Sequence, residues 1–311
     1  MKGRVDVRRV LITGANGFVA AYLVEALKEL GDDVVGVDVA EKPCHAVDRY
    51  YACNLMDAAS VRTILESERP DAIVHLAAVS SVGRSWNMPV DTFVNNTGIF
   101  LNVVEAVRSL GLKTRVLSVG SSEEYGDVPQ EEMPLAETHP LVPGSPYAVA
   151  RVAQEELSRL YAKGFGADIV MTRSFNQFGP GQRLDFFVPS MVRQILDGRG
   201  RGGPVDIKAG DLSVIRDFLD VRDAVSAYVL LLEKGVSGEV YNVCSGRGRC
   251  LREVLETAAR LAGVELSISL DPSRVRPADS RMIVGDSSKL RALGWSCTHT
   301  FESTLRDMME L

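Results

Sequence analysis

Apolar residues in the first 175 positions fall into two alternating periods. Short runs rich in β-branched residues are apolar nearly throughout: RRVLITG (8–14), VVGVD (34–38), DAIVHLAA (71–78), TRVLSVGSS (114–122) and ADIVMTRSF (167–175). Such runs predict strands covered on both faces of a parallel sheet. Between them, AYLVEALKEL (21–30), SVRTILESE (60–68), VDTFVNNTGIFLNVVEAVRSLG (90–111) and PYAVARVAQEELSRLYAKG (146–164) repeat their apolar positions at helical spacing. The third of these ends at a glycine, a common helix stop. Strand and helix in regular succession predict an α/β fold, a doubly wound parallel sheet of Rossmann type over residues 1–175.

The regular alternation stops near residue 176. A loop rich in Gly and Pro, NQFGPGQ (176–182), leads to a helix expected over about 187–197 and to the loose stretch GRGRGGP (198–204). Further on, GEVYNVCSG and LREVLETAARLAG read as a strand and a helix of a smaller lobe. The expected division is a dinucleotide-binding domain at 1–175 and a smaller C-terminal α/β substrate lobe at 176–311, with a segment at about 214–242 returning to the first. The chain shows no internal repeat and no low-complexity tail.

Composition narrows the function classes. A chain of 311 residues, 46% hydrophobic, is long enough to bury the cores of two lobes. Its formal net charge is -6 and no Lys/Arg run forms a stripe, so a nucleic-acid partner is not expected. The five cysteines (44, 53, 244, 250, 297) are odd in number, form no C-x-x-C and have four scattered histidines beside them, which indicates neither a disulfide framework nor a metal site. MKGRVDVRRVLITG has no signal-peptide apolar region, and no stretch approaches the roughly 20 apolar residues of a membrane span. A cytoplasmic protein with no membrane partner is expected.

TGANGFVA (13–20) follows the first strand directly and opens the first helix. Gly14 and Gly17 allow the tight turn that brings backbone N–H groups and a helix N-terminus to a pyrophosphate, and Asn16, Phe18 and Val19 share that loop. Ala20 stands at the third glycine position of the pattern. Asp38 ends the second strand, where a carboxylate can hold both hydroxyls of an adenosine ribose and repel a 2′-phosphate. NAD(H) is therefore the expected cofactor, with NADP(H) still open because Lys42 follows closely.

Together with HLAA (75–78), VNNTG (94–98), SSEEYG (121–126), Tyr147, NQFGPGQ, RDFLDVRD (216–223) and RVRPADSRMIVGDSSKL (274–290), these residues resemble the extended short-chain dehydrogenase/reductases that modify nucleotide sugars, the NAD-dependent epimerase/dehydratase type. The resemblance runs over nearly the whole chain. FNQFGPGQ and the 274–290 block are most similar to GDP-4-keto-6-deoxymannose reductases, with GDP-mannose 4,6-dehydratases as near neighbours.

Hydride exchange between a sugar carbon and a nicotinamide needs a proton at the sugar oxygen, and a phenol supplies it near neutral pH only if a nearby cation lowers its pKa from about 10. Tyr147 and Arg151 stand at i and i+4 on one helix face. The family places lysine at the second position; arginine keeps the charge in a longer, planar side chain, and reduced activity is expected. The resemblance gives Ser121 as the hydroxyl that bonds the reacting sugar oxygen. It gives Glu123 as the residue where dehydratases hold a glutamate for removing water across C5 and C6; some reductases of the GDP group also carry a glutamate there.

Further roles also rest on the resemblance. Leu76, Ala77, Ala78, Asn54 and Leu55 belong to the cofactor site, Asn54 with its side-chain oxygen on the adenine amino group, and Asn95 supports the backbone beside the site. Ser81, Ser122, Asn176, Arg216 and Arg276 are expected at the substrate, the two arginines on its diphosphate, and Val188 near the nucleobase. His75 reads as a packed strand residue. The leading expectation is a nucleotide-sugar oxidoreductase that reduces the C4 ketone of a GDP-linked deoxyhexose. A 4,6-dehydratase or epimerase is the alternative, and a non-catalytic dinucleotide binder, motivated by Arg151, is the third. The helices at 90–111 and 146–164 could form the contact of a homodimer.

Overall fold

The computed structural model describes residues 7–200, 203–274 and 280–310. In chain order the first part runs β1 (Arg9–Thr13), α1 (Phe18–Glu29), β2 (Asp33–Asp38), β3 (Arg49–Ala52), α2 (Ala58–Glu68), β4 (Ala72–His75), α3 (Val82–Asn87), α4 (Pro89–Ser109), β5 (Arg115–Ser121), α5 (Pro146–Phe165) and β6 (Ile169–Ser174). The second part runs β7 (Asn176–Phe178), α6 (Phe187–Gly198), β8 (Val205–Ala209), β9 (Ile215–Asp220), α7 (Val221–Lys234), β10 (Val240–Val243), β11 (Gly248–Cys250), α8 (Leu251–Ala262), β12 (Leu266–Leu270), β13 (Met282–Ile283), α9 (Ser288–Ala292) and α10 (Phe301–Met309).

Local chemistry sets the helix ends. Asp57 accepts from Ala59 and Ser60 at the start of α2, and Ser145 accepts from Ala148 at the start of α5, where Pro146 needs no partner. α5 stops at Gly166 in the left-handed region, a cheap conformation without a Cβ.

Seven strands form one parallel sheet in the order β10-β6-β5-β4-β1-β2-β3. Side chains alternate across it. Val10 and Ile12 of β1 face α1 and α7, where they pack with Leu23, Leu27, Tyr228 and Leu231. Leu11 faces the other side and packs with Ile64, Leu65, Phe100 and Val103 of α2 and α4. Strand order reverses between β1 and β4, and the crevice at the C-terminal ends of strands on either side of such a reversal is where open α/β sheets bind ligands.

The smaller lobe holds β11-β9-β13 with β7 also on β9, a β8–β12 pair, and α6, α8 and α10 around a separate apolar cluster that includes Val188, Ile195, Leu255 and Leu305. The doubly wound sheet expected from the sequence is present. Within 214–242, β10 closes the large sheet beside β6 and α7 packs on that sheet, while β9 lies in the small sheet. GEVYNV therefore supplies a strand to the large sheet and not to the smaller lobe. Short β3 and α3 carry too few apolar positions to announce themselves. Among the described residues no helix is long and apolar enough to cross a membrane, the five cysteines are free thiols, and no group of three or more His, Cys, Asp or Glu could hold a metal.

Candidate active site

A cleft of about 890 Å³ opens at the strand reversal. Its walls at one end are the β1–α1 loop with Gly14, Asn16, Gly17, Phe18 and Val19, together with Asp38, Asn54 and Leu55. Leu76, Ala77, Ala78, Ser81 and Asn95 line the middle. At the far end stand Ser121, Ser122, Glu123, Tyr147, Arg151 and Asn176.

The dinucleotide end is shaped by absent side chains. Gly14 has φ +69°, and a Cβ there would stand 2.9 Å from the backbone of Ala77. The loop thus lies against β4 only because the position is glycine. Gly17, the residue before α1, gives that helix no side-chain cap, so its first-turn N–H groups are available to an anion at the positive end of the helix dipole. Asp38 accepts from the Asn16 N–H at 3.0 Å through Oδ2 and from the Ala40 N–H at 3.2 Å through Oδ1. A carboxylate has about four lone-pair sites, so two remain for a ribose diol. These features fit a nicotinamide dinucleotide. Asn54 Oδ1 already accepts from the Met56 N–H at 3.0 Å and keeps its second lone pair for an adenine amino group.

At the other end, α5 sets Tyr147 and Arg151 one turn apart, both buried. Arg151 Nε donates to the Tyr147 phenol oxygen at 3.1 Å. Its Nη1 donates to the Val119 carbonyl at 3.1 Å and to Gln154 Oε1 at 2.6 Å, and Gln154 in turn donates to Ser118. The guanidinium is therefore fixed to β5 and aimed at the phenol. Ser121 ends β5 and caps the 3₁₀ turn Ser122–Tyr125, its hydroxyl accepting from the Glu123 N–H at 3.2 Å.

A second phenol borders the same cleft. Tyr228 is fully buried, bonded to Ser174 at 2.7 Å and to Gln177 at 2.5 Å, and burial pushes its pKa up to about 12 against the pull of Arg151. It is a structural hydrogen-bonding group, whereas Tyr147 carries the direct cationic bond. Tyr228, Ser174, Gln177 and Gln154 escaped the sequence reading because nothing local distinguishes them from core or surface positions. His75 is packed inside β4 as expected, with Nδ1 3.0 Å from the Thr13 hydroxyl.

Three placements depart from the expectation. Val188 does not line the cleft: it lies on the inward face of amphipathic α6, in the core of the smaller lobe. Arg216 is buried on β9 outside the cleft lining, its Nη1 donating to the Ile215 carbonyl at 2.9 Å. Backbone support assigned to Asn95 is supplied by Asn96, which accepts from the Val79 N–H at 2.8 Å and donates to its carbonyl at 3.2 Å; one position along the helix turns that side chain inward. Arg276 lies outside the described residues.

The cleft thus joins a glycine loop suited to a dinucleotide with a cation-backed tyrosine and a serine at its far end, in a Rossmann-type sheet. The chain belongs to the NAD dependent epimerase/dehydratase family, whose pattern it matches over residues 10–244, and it is an enzyme. It is 34% identical to GDP-6-deoxy-D-mannose reductase of Pseudomonas aeruginosa over 303 residues, 97% of this chain and 96% of that protein. The structure of RMD from Pseudomonas aeruginosa complexed with NADPH superposes with a TM-score of 0.86 at 33% identity, covering 98% of both chains. UDP-glucose 4-epimerase of Thermus thermophilus in complex with NAD gives 0.87 at 30% identity, covering 97% of this chain and 98% of that one.

Proposed function

We propose that the protein is a nucleotide-sugar oxidoreductase that reduces the C4 ketone of a GDP-linked 4-keto-6-deoxyhexose. The observation that carries the reading is the bond from Arg151 Nε to the Tyr147 oxygen, in the same cleft as Ser121 and the dinucleotide loop. A dinucleotide held at its pyrophosphate by the Gly14–Val19 loop would supply the hydride from its reduced nicotinamide. Tyr147 gives its phenolic proton to the developing alkoxide, Arg151 stabilises the tyrosinate left behind, and the Ser121 hydroxyl donates to the same sugar oxygen. Similarity to a GDP-6-deoxy-D-mannose reductase supports the GDP-linked substrate. Asp38 supports NAD(H) over NADP(H), because its charge would face a 2′-phosphate. Arg276 remains a proposed diphosphate ligand, because a guanidinium fork suits phosphate oxygens.

The reading is tested by adding the keto-sugar nucleotide and following loss of reduced-nicotinamide absorbance. Consumption of one cofactor per sugar supports it; an inert mixture refutes it. A second reading, 4,6-dehydratase, is favoured by Glu123 in the cleft wall beside Ser121. It requires GDP-mannose and only catalytic NAD to yield a keto-sugar. We also propose a homodimer through α4 and α5, supported by exposed Val90, Val94, Val149 and Leu160 on those helices, and a cytoplasmic location, supported by five unpaired thiols. Light scattering and cell fractionation test these.

A further inference from the structure

Beside Ser121 lies a buried charge cluster built from three separate elements. Glu124, in the 3₁₀ turn after β5, is fully buried. Its Oε1 accepts from the Ser121 N–H at 2.6 Å. The carboxyl occupies space that Gly120 leaves open, since a Cβ there would run into Glu124 Oε1 and stand 2.5 Å from the Thr172 carbonyl. Oε2 has no hydrogen-bond donor among the described residues and lies 4.0 Å from Arg173 Nε.

Arg173 of β6 is committed elsewhere. Its Nε and Nη2 grip both oxygens of Glu155 on α5 at 2.9 and 2.7 Å, and its Nη1 donates to the Glu137 carbonyl at 3.0 Å. Arg159 of α5 adds a second bond to Glu155 at 2.8 Å, and the Arg173 guanidinium stacks 4.8 Å over the Tyr125 ring. Glu137 also turns its Oε1 to the Asn242 N–H. The buried guanidinium is thus spent on Glu155, and an ionised Glu124 would be a second buried carboxylate beside the first, without a counter-ion of its own.

We propose that Glu124 is a positioning residue: a carboxyl kept protonated beside the Glu155–Arg173 pair, which receives the Ser121 N–H on one oxygen and so fixes the turn that presents the Ser121 hydroxyl. Burial first, and the Glu155 charge second, hold the Glu124 carboxyl well above the usual carboxylate range. Burial raises Glu155 too, but Arg173 outweighs it and keeps that partner ionised. Neutral acids held this way are known elsewhere as hydrogen-bond donors in apolar sites.

The catalytic consequence rests on the proposed role of Ser121; the protonation does not, and the two are separable by experiment. Thermal unfolding of the full chain and of E124Q is measured from about pH 5 to about pH 8. A neutral acid must take up a proton on folding, and a carboxamide need not. E124Q is therefore expected to gain in Tm over the wild type as pH rises, and the infrared band of a buried protonated carboxyl is expected to vanish in it. If E124Q is instead less stable at every pH and no such band exists, Glu124 is an ionised partner of Arg173 and the proposal is overturned. For positioning, E124L is expected to lower kcat about tenfold with cofactor affinity unchanged, and E124Q to restore it. Unchanged kcat in a folded E124L removes the positioning role. Where E124L does not fold, E124Q carries the test alone: kcat within a few-fold of wild type supports the proposal, and a loss as large as that of S121A overturns it. A wild type that reduces no keto-sugar defeats the functional reading, while the pH dependence of E124Q still decides the protonation.

Discussion

Arg151 donates to the Tyr147 oxygen through Nε while its Nη1 is bound to Val119 and Gln154, so the guanidinium is fixed at two points and its charge is directed at one atom. A lysine ammonium would have to hold these attachments from a single nitrogen on a shorter stem instead of from two nitrogens of a rigid fork. The sequence alone suggests that arginine slows this enzyme, whereas the anchoring argues that the surroundings are fitted to it. R151K is expected to lower kcat about tenfold, and R151M about a hundredfold or more, in steady-state assays of ketone reduction. Higher turnover in R151K would show that arginine is a defect here.

In the proposed mechanism Ser121 acts on charge that develops during reaction, so its removal should appear in kcat and not in KM. S121A is expected to lower kcat about ten- to a hundredfold, with the affinity for reduced cofactor unchanged by fluorescence titration.

Glu123 separates the two chemistries proposed for the cleft. Under the reductase reading, E123Q changes the rate of ketone reduction by no more than about threefold, because Tyr147 supplies the proton. Loss of a GDP-mannose dehydration activity in E123Q, with little reduction activity in the wild type, would move the assignment to the dehydratase.

Much of this site was legible because its parts are local. TGANGF lies in one turn between β1 and α1, Asp38 ends the adjacent strand, and Tyr147 and Arg151 share a helix face; short-range spacing fixes all three. The cluster around Glu124 was not legible, because Glu124, Glu155 and Arg173 sit on separate elements that only the β5–β6 neighbourhood brings together. Read alone, Glu155 is an ordinary charged residue of an amphipathic helix. β10 was misplaced for the same reason: its apolar run fits either sheet, and the helix α7 that carries the chain back decides which. Asn95 and Asn96 differ only in the helical phase, a difference that a motif does not resolve but a bond to Val79 does.

Under the proposed reading, Asp38 governs both cofactor affinity and choice. D38N keeps an acceptor for the Asn16 N–H but loses the charge that faces the ribose. Binding of NADH is expected to weaken about tenfold and binding of NADPH to weaken less or improve, which titration with each cofactor measures. Equal weakening for both would mean that the carboxylate serves only the loop.

His75 makes the acid limb of stability predictable. It is fully buried in β4, edge-on to Phe100 at 5.4 Å, with Thr13 on Nδ1 and no partner on Nε2 among the described residues. Burial, and secondarily the charge of Arg151, depress its pKa to about 3 from an ordinary 6.5. The unfolded chain therefore binds a proton on this ring below about pH 6.5 that the folded chain refuses until about pH 3, so stability falls as pH drops through that window. The full interval is worth on the order of 5 kcal/mol. H75N retains an acceptor for the Thr13 hydroxyl and cannot titrate. It is expected to lose about 1–2 kcal/mol at pH 7 from the space it leaves, yet to show a shallower decline between about pH 6.5 and pH 4. Urea midpoints measured across that range decide the matter: parallel curves for H75N and the wild type would mean that His75 takes up its proton without unfolding.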